Sequence, residues 1–244
     1  MTIKLIVFDI DGVLTDGETR MLDLPLLEQL ATMNRAARTD PIQPAVTICT
    51  GRPAPYAEAM LQAIGGYLPG IFENGAGLYV PDGYRFLAHP ELGHNGHMKM
   101  VRQRLEETLV QSGQAYFQPG KEYTLTLFAT DPAETGRLGQ QTAAALESLQ
   151  EHVDLVFSVS CLNVLPRGMD KGKGVEFLAR YTGYQLDEML GVGDSDVDEP
   201  FLAAVGYRAA PANANLAIKQ LAHYVAPRAT SAGVRDILRY FGLG

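Results

Sequence analysis

The sequence predicts an α/β protein, a parallel sheet with helices on both faces, joined by a smaller α+β domain. Three observations predict it. Short apolar runs, KLIVFDI at 4–10, AVTICT at 45–50 and LGVGD at 190–194, alternate with stretches of helical periodicity, as parallel strands with crossover helices require. These runs are close to continuously apolar, which suits strands covered on both sides. Between the second and third runs the pattern changes to helices with paired strands.

Each element has a local reason. In LPLLEQLATMNRAAR, Leu26, Leu27, Leu30, Met33 and Ala37 fall on one helical face, with Pro25 in the first turn. After Thr50-Gly51, the segment PAPYAEAMLQAIGG has prolines at its start and Gly65-Gly66 at its end, signals of a second helix. Asn74-Gly75 and Asp82-Gly83 flank LYV and predict tight antiparallel hairpins. A helix is expected around 97–112, with Val101, Leu105 and Leu109 on one face. Two strands follow, AYFQ and YTLTLFAT, turned at Pro119-Gly120; then a helix at about 132–150 and two short strands near 153–165. This order predicts an α+β insert at 84–164, leaving 1–83 and 165–244 to the parallel sheet.

Composition narrows the function. With 244 residues and 46% hydrophobic content, the chain can bury a sizeable core. A net charge of −8 argues against a broad nucleic-acid or anionic-membrane surface. Cys49 and Cys161 imply no disulfide framework, and Cys49, ending an apolar run, is expected to be a buried small residue. The first apolar run is too short to span a membrane and no basic leader precedes it, so a cytoplasmic protein is expected.

Four stretches could carry chemistry, each just past the carboxyl end of an apolar strand or ahead of a helix, where ligands bind in open parallel sheets. In IVFDIDGVLTDG, Asp9 and Asp11 are one residue apart, so a continued strand would point both to one side. In TICTGRP, Thr50 and the Gly51 N–H suit a phosphate oxygen, or Thr50 is simply a capping residue. In RGMDKGKG, Lys171 between glycines can neutralise phosphate or a carboxylate cluster, or is a solvated lysine. In LGVGDSDVDEPFL, Asp194, Asp196, Asp198 and Glu199 are either capping charges or, facing Asp9 and Asp11, a hard-oxygen site for Mg²⁺.

In this order and at these distances, VFDIDGVLT, TGR, DKGKG and GVGDSDVD resemble the four motifs of the haloacid dehalogenase superfamily. An α+β cap between the second and third motifs resembles the Cof-type subgroup, with sucrose-phosphate phosphatases, archaeal phosphoglycolate phosphatases and phosphomannomutases. ENGAGLYV at 73–80 and APANANLAIKQLAHYV at 210–225 also look like Cof-type sequence. DGVLTDG resembles the capless phosphatases of 3-deoxy-octulosonate 8-phosphate as well, but the long insert counts against them. One position departs from the pattern: Val197 stands where Cof-type relatives usually carry asparagine.

The resemblance implies a Rossmann-like core and an Mg²⁺-dependent phosphatase acting on a small phosphorylated metabolite, a sugar phosphate or a phosphoglycolate-like compound. By the same resemblance Asp9 is the nucleophile that forms an aspartyl-phosphate, and Asp11 the general acid and base. Asp9, the Asp11 carbonyl, Asp194 and Asp198 would hold Mg²⁺; Thr50, Gly51, Arg52 and Lys171 would hold phosphate. Arg52 could equally form a structural ion pair. The cap should close over the site and choose the substrate, and Lys121 is either a cap residue that reaches it or a solvated turn lysine. His94 and His97 have ligand-like spacing, but no cysteine or carboxylate cluster joins them in a zinc site. Two alternatives remain: a phosphotransferase or mutase passing phosphate to a sugar, and a catalytically silent phosphate-binding module.

Overall fold

The computed structural model describes residues 2–17, 19–93, 96–158 and 160–243. They form two compact units, Met1–Leu87 with Asp170–Gly244, and Ala88–Met169.

The first unit begins with β1 (Leu5–Phe8), whose four side chains are all fully buried. Each such side chain contributes about 1.5–3 kcal/mol of burial free energy, enough to make this strand the sheet's anchor. Helix α1 (Leu24–Ala37) starts at Asp23, whose carboxylate accepts the Leu26 N–H at 3.0 Å. It buries Leu26, Leu27, Leu30, Ala31 and Asn34, so the buried stripe runs through Asn34 and not through the expected Met33. The reason is β2 (Ala45–Ile48), an edge strand. Asn34 Oδ1 accepts the Val46 N–H at 2.8 Å, and its Nδ2 donates to the carbonyls of Val46 at 3.1 Å and Ile64 at 2.9 Å. A buried amide thus satisfies backbone groups that no neighbouring strand pairs.

Helix α2 (Ala54–Ala63) leads to β3 (Gly70–Phe72), which pairs antiparallel with β4 (Gly77–Val80). The turn between them places Glu73 and Asn74 at φ of 50° and 56°, so the expected hairpin is present but strained. Strand β5 (Arg85–Ala88) lies next to β4.

In the second unit, α3 (Gly96–Leu105) continues as a π-turn over Glu106–Val110, so the single helix expected at 97–112 changes its hydrogen-bonding pattern. Strands β6 (Ala115–Phe117) and β7 (Leu125–Ala129), helix α4 (Thr135–Ala145), and strands β8 (Val153–Phe157) and β9 (Leu162–Pro166) follow. Their sheet has the order β6-β7-β9-β8, with every neighbouring pair antiparallel. Met98, Val101, Leu105, Leu127, Leu138, Leu162 and Val164 belong to this unit's own core. The helix expected at 132–150 is broken into 3₁₀, α and 3₁₀ pieces.

Back in the first unit come α5 (Lys171–Thr182), β10 (Met189–Val192), α6 (Glu199–Ala204), β11 (Tyr207–Ala210), α7 (Leu216–Leu221), β12 (Tyr224–Val225) and α8 (Thr230–Tyr240). The main sheet has the order β12-β11-β10-β1-β2, all parallel. The α/β fold with a parallel sheet is therefore as expected. No helix among the described residues is long and apolar enough to cross a membrane.

Candidate active site

The site is built at the carboxyl ends of β1, β2 and β10 and at the start of α5. Strand β1 stops at Phe8, although the Asp9 N–H still bonds the Val192 carbonyl at 2.9 Å. The chain then turns, with Gly12 at φ +87° and its N–H bonded to the Thr15 carbonyl. Asp9 and Asp11 are therefore not two positions of one continued strand, and their carboxylates part company. Gly12 is a steric requirement, because a Cβ there would lie 2.2 Å from Asp194 Oδ2.

Asp9 is buried, and its Oδ1 accepts from Lys171 Nζ at 2.7 Å. The same ammonium donates to Asp198 Oδ1 at 2.6 Å. Lys171 opens α5, behind the capping Asp170, and is only 2% exposed, which excludes the solvated-lysine reading. Asp198 is fully buried; its Oδ2 accepts the N–H groups of Asp194 at 2.9 Å and Ser195 at 3.1 Å, and the Ser195 hydroxyl at 3.2 Å. Both oxygens of Asp198 thus already have partners.

Oxygens of Asp9, Asp194 and Asp198 lie within 4.8 Å of one another, the one group of its kind found among the described residues. Burial pushes the Asp9 carboxyl well above its ordinary range, the Asp198 charge adds to this, and Lys171 offsets part of it. Burial, then Asp198, pushes Asp194 up to about 7. Burial also opposes the Lys171 charge, but Asp198 and Asp9 outweigh it and hold the ammonium protonated. Three carboxylates against one ammonium leave an excess of negative charge. Asp194 Oδ1 is buried with no hydrogen-bond partner among the described residues. An all-oxygen donor set with an unpartnered buried oxygen fits a hard divalent cation.

Arg52 grips Asp11 in a fork, Nε to Oδ2 at 2.7 Å and Nη2 to Oδ1 at 2.8 Å, with its guanidinium 4.9 Å from the Tyr56 ring centroid. Of its two expected roles, the ion pair is the one present. The Asp11 carboxylate is accordingly directed to Arg52 and is not a member of the three-carboxylate group. Thr50 is buried, and its Oγ1 accepts the Arg52 N–H at 3.1 Å, which keeps the Thr50–Arg52 loop tight. Asp196 is exposed and accepts from Asn215 Nδ2 at 2.5 Å.

Other expectations resolve differently. Lys121, in the second unit, is not a solvated turn lysine: it is 6% exposed and donates to Thr126 Oγ1 at 2.5 Å. Cys49 is fully buried and burial pushes its thiol up, which leaves it unfit as a nucleophile. His94 lies outside the described residues, and His97 stacks on His152 with centroids 3.8 Å apart. Asn74 and Asn213 were given no role from sequence, yet both border the site. Asn74 packs against Gly51, where a Cβ would meet its Oδ1 at 2.8 Å, and its buried Nδ2 has no partner among the described residues. The only signals were the stretches that contain them.

The chain is similar to known proteins over its whole length. Over 239 residues, 98% of each chain, the sequence is 26% identical to a phosphoglycolate phosphatase of Methanothermobacter thermautotrophicus. It is 28% identical to an HMP-PP phosphatase of Serratia proteamaculans, covering 89% of this chain and 87% of that one. A crystal structure of a Thermoplasma acidophilum protein has the same fold, with a TM-score of 0.78 at 22% identity over the whole of both chains. The family profile of haloacid dehalogenase-like hydrolases matches residues 94–238. With more than half of its length matched, the chain belongs to the haloacid dehalogenase-like hydrolases.

Proposed function

We propose that the chain is an Mg²⁺-dependent phosphatase that hydrolyses a small phosphorylated metabolite, a sugar phosphate or a phosphoglycolate-like ester, through phosphorylated Asp9. The observation that carries this reading is the Asp9 carboxylate, held by Lys171 at 2.7 Å inside the three-carboxylate group. The names of the aligned phosphatases support the substrate class.

Asp9 attacks phosphorus with the carboxylate oxygen that Lys171 does not hold, forming an aspartyl-phosphate and releasing the alcohol. Asp11 protonates the departing alkoxide and later takes a proton from the attacking water. Arg52 orients Asp11 through both carboxylate oxygens, and one of these bonds opens for that oxygen to carry the proton it delivers. The Thr50 hydroxyl, the Gly51 N–H and Lys171 bind phosphoryl oxygens where negative charge accumulates. Asp9, the Asp11 carbonyl, Asp194 and Asp198 would hold Mg²⁺, which would supply charge screening between nucleophile and phosphate and polarise the phosphoryl oxygens. The second unit serves as the cap that selects the alcohol.

Rapid-quench labelling with a radioactive phosphate ester tests the nucleophile: label appears on the parent in Mg²⁺ and never on Asp9→Asn. Label on Asp9→Asn, or undiminished turnover in excess chelator, would sink this reading. Phosphate release equal to substrate consumption, without added sugar bisphosphate, separates hydrolysis from mutase chemistry.

A further inference from the structure

We infer that Asn213 is a positioning residue for the cation site, orienting the Asp194 carboxylate with a side-chain amide in a motif where position 197 is valine. The inference rests on the cation-dependent reading above. Asn213 belongs to the segment after β11 that had no assigned role. Its Nδ2 donates to the Gly12 carbonyl at 2.8 Å and lies 3.5 Å from Asp194 Oδ2. Its Oδ1 accepts the Thr230 N–H at 2.9 Å. One exposed side chain thus joins three loops: the turn after β1, the loop after β10 and the entry to α8.

The two oxygens of Asp194 are placed in different surroundings. Oδ2 faces Gly12, at the spot where a Cβ would be 2.2 Å away, with the Asn213 amide beside it. Oδ1 is the buried oxygen with no partner among the described residues. A neutral donor at the outer limit of hydrogen-bond distance from one oxygen, with Gly12 against the same oxygen, favours one orientation of the carboxylate, and the amide adds no charge that would compete with a cation. Outer partners of metal ligands act in this way. Thr230 adds an independent sign that the arrangement matters. It is a β-branched residue at φ +46°, a conformation that such residues rarely adopt, with its hydroxyl donating to Asp16 Oδ1 at 2.5 Å. Strain of this kind persists only where surrounding bonds over-determine it, and the bond to Asn213 is one of them.

Asn215 provides the internal control. Its amide donates to Asp196, outside the three-carboxylate group, and its Oδ1 caps α7 through the Ile218 N–H at 2.9 Å. The test is Mn²⁺ binding to the full chain without substrate, read as free Mn²⁺ by electron paramagnetic resonance, alongside thermal melts. Asn213→Ala should bind Mn²⁺ on the order of 10–100-fold more weakly than the parent. Asn213→Ser, polar but too short to reach either Gly12 or Thr230, should behave the same way. Asn215→Ala should lose thermal stability and keep the parent's affinity. Folded Asn213 variants that bind Mn²⁺ as tightly as the parent would overturn the inference and leave the phosphatase reading intact. A weakening in Asn215→Ala equal to that in Asn213→Ala would overturn it too, by reducing the effect to general loosening. A parent that binds no Mn²⁺ would remove both readings.

Discussion

Lys171 and Arg52 each hold one of the two aspartates that follow β1, in opposite surroundings. Lys171 is 2% exposed and shared between two buried carboxylates, whereas the Arg52 and Asp11 side chains are 15% and 28% exposed and form a two-bond fork. The buried ammonium compensates a cluster that could not otherwise remain charged, so stability and chemistry are joined there. The partly exposed fork orients one carboxylate and contributes less to the fold than the buried cluster does. The same two types of residue, a base and an acid, therefore answer to different tests.

The largest expected effect is that of Lys171→Met. Removing one partner of a buried ion cluster costs about 3–5 kcal/mol, which in a chain of this size lowers the thermal midpoint by roughly 6–20 °C. Mg²⁺ should restore part of that loss, because a cation can take over the compensation. A midpoint within a degree of the parent in chelator would break the contrast.

The unmodified protein sharpens it through pH. Asp9 and Asp194 are raised above their unfolded values, Asp194 to about 7, so the folded state binds more protons than the unfolded one between about pH 4 and 7. In chelator the melting temperature should therefore fall as pH rises through this window. Mg²⁺, which favours the deprotonated carboxylates, should flatten or reverse the slope across the same window. A midpoint in chelator that climbs across the same range would show that the cluster is already compensated.

Arg52→Ala should change stability by no more than about 1 kcal/mol. Its effect belongs in turnover: alkyl phosphates should lose part of the 10²–10⁴-fold that general-acid catalysis typically contributes, and aryl phosphates with good leaving groups less. Equal losses for both would return Arg52 to phosphate binding.

The smallest effect comes from a pair away from the site. Asp23 caps α1 and accepts from Arg235 at 2.7 and 2.9 Å, and Arg235 holds its carboxyl below the usual range. Asp23→Ala should cost about 1–2 kcal/mol at neutral pH. Because the folded pKa is depressed, this contribution is complete above the unfolded pKa near about 4 and fades as pH falls through the lower folded value. The gap between parent and variant in thermal melts should close in acid, and turnover should be unchanged.

Much of the architecture was legible because it follows from local periodicity. The apolar runs at 5–8, 45–48 and 189–192 are strands, and the Leu26–Leu27–Leu30 stripe is buried. The misses are tertiary in origin. Asn34 replaces Met33 on the buried face because an edge strand needs its amide. Helix 97–112 passes into a π-turn at Glu106, and strand character ends at Phe8 and not at Ile10. Within the site, the juxtaposition of Lys171 with Asp9, 162 positions apart, was suggested only by motif order.

The sequence by itself determined that acids would cluster at strand ends and that a lysine between glycines would open a helix, since strand ends, glycine turns and caps are decided by neighbours in the chain. Only the tertiary structure decided which acid each cation would hold. Asp9 and Asp11 are chemically identical and nearly adjacent. Gly12 turns the chain between Asp11 and the next element, and Thr50 secures the loop that presents Arg52 to Asp11, while α5 presents Lys171 to Asp9. Pairing over such separations depends on the directions of side chains brought together by packing, and no local pattern of residues carries that information.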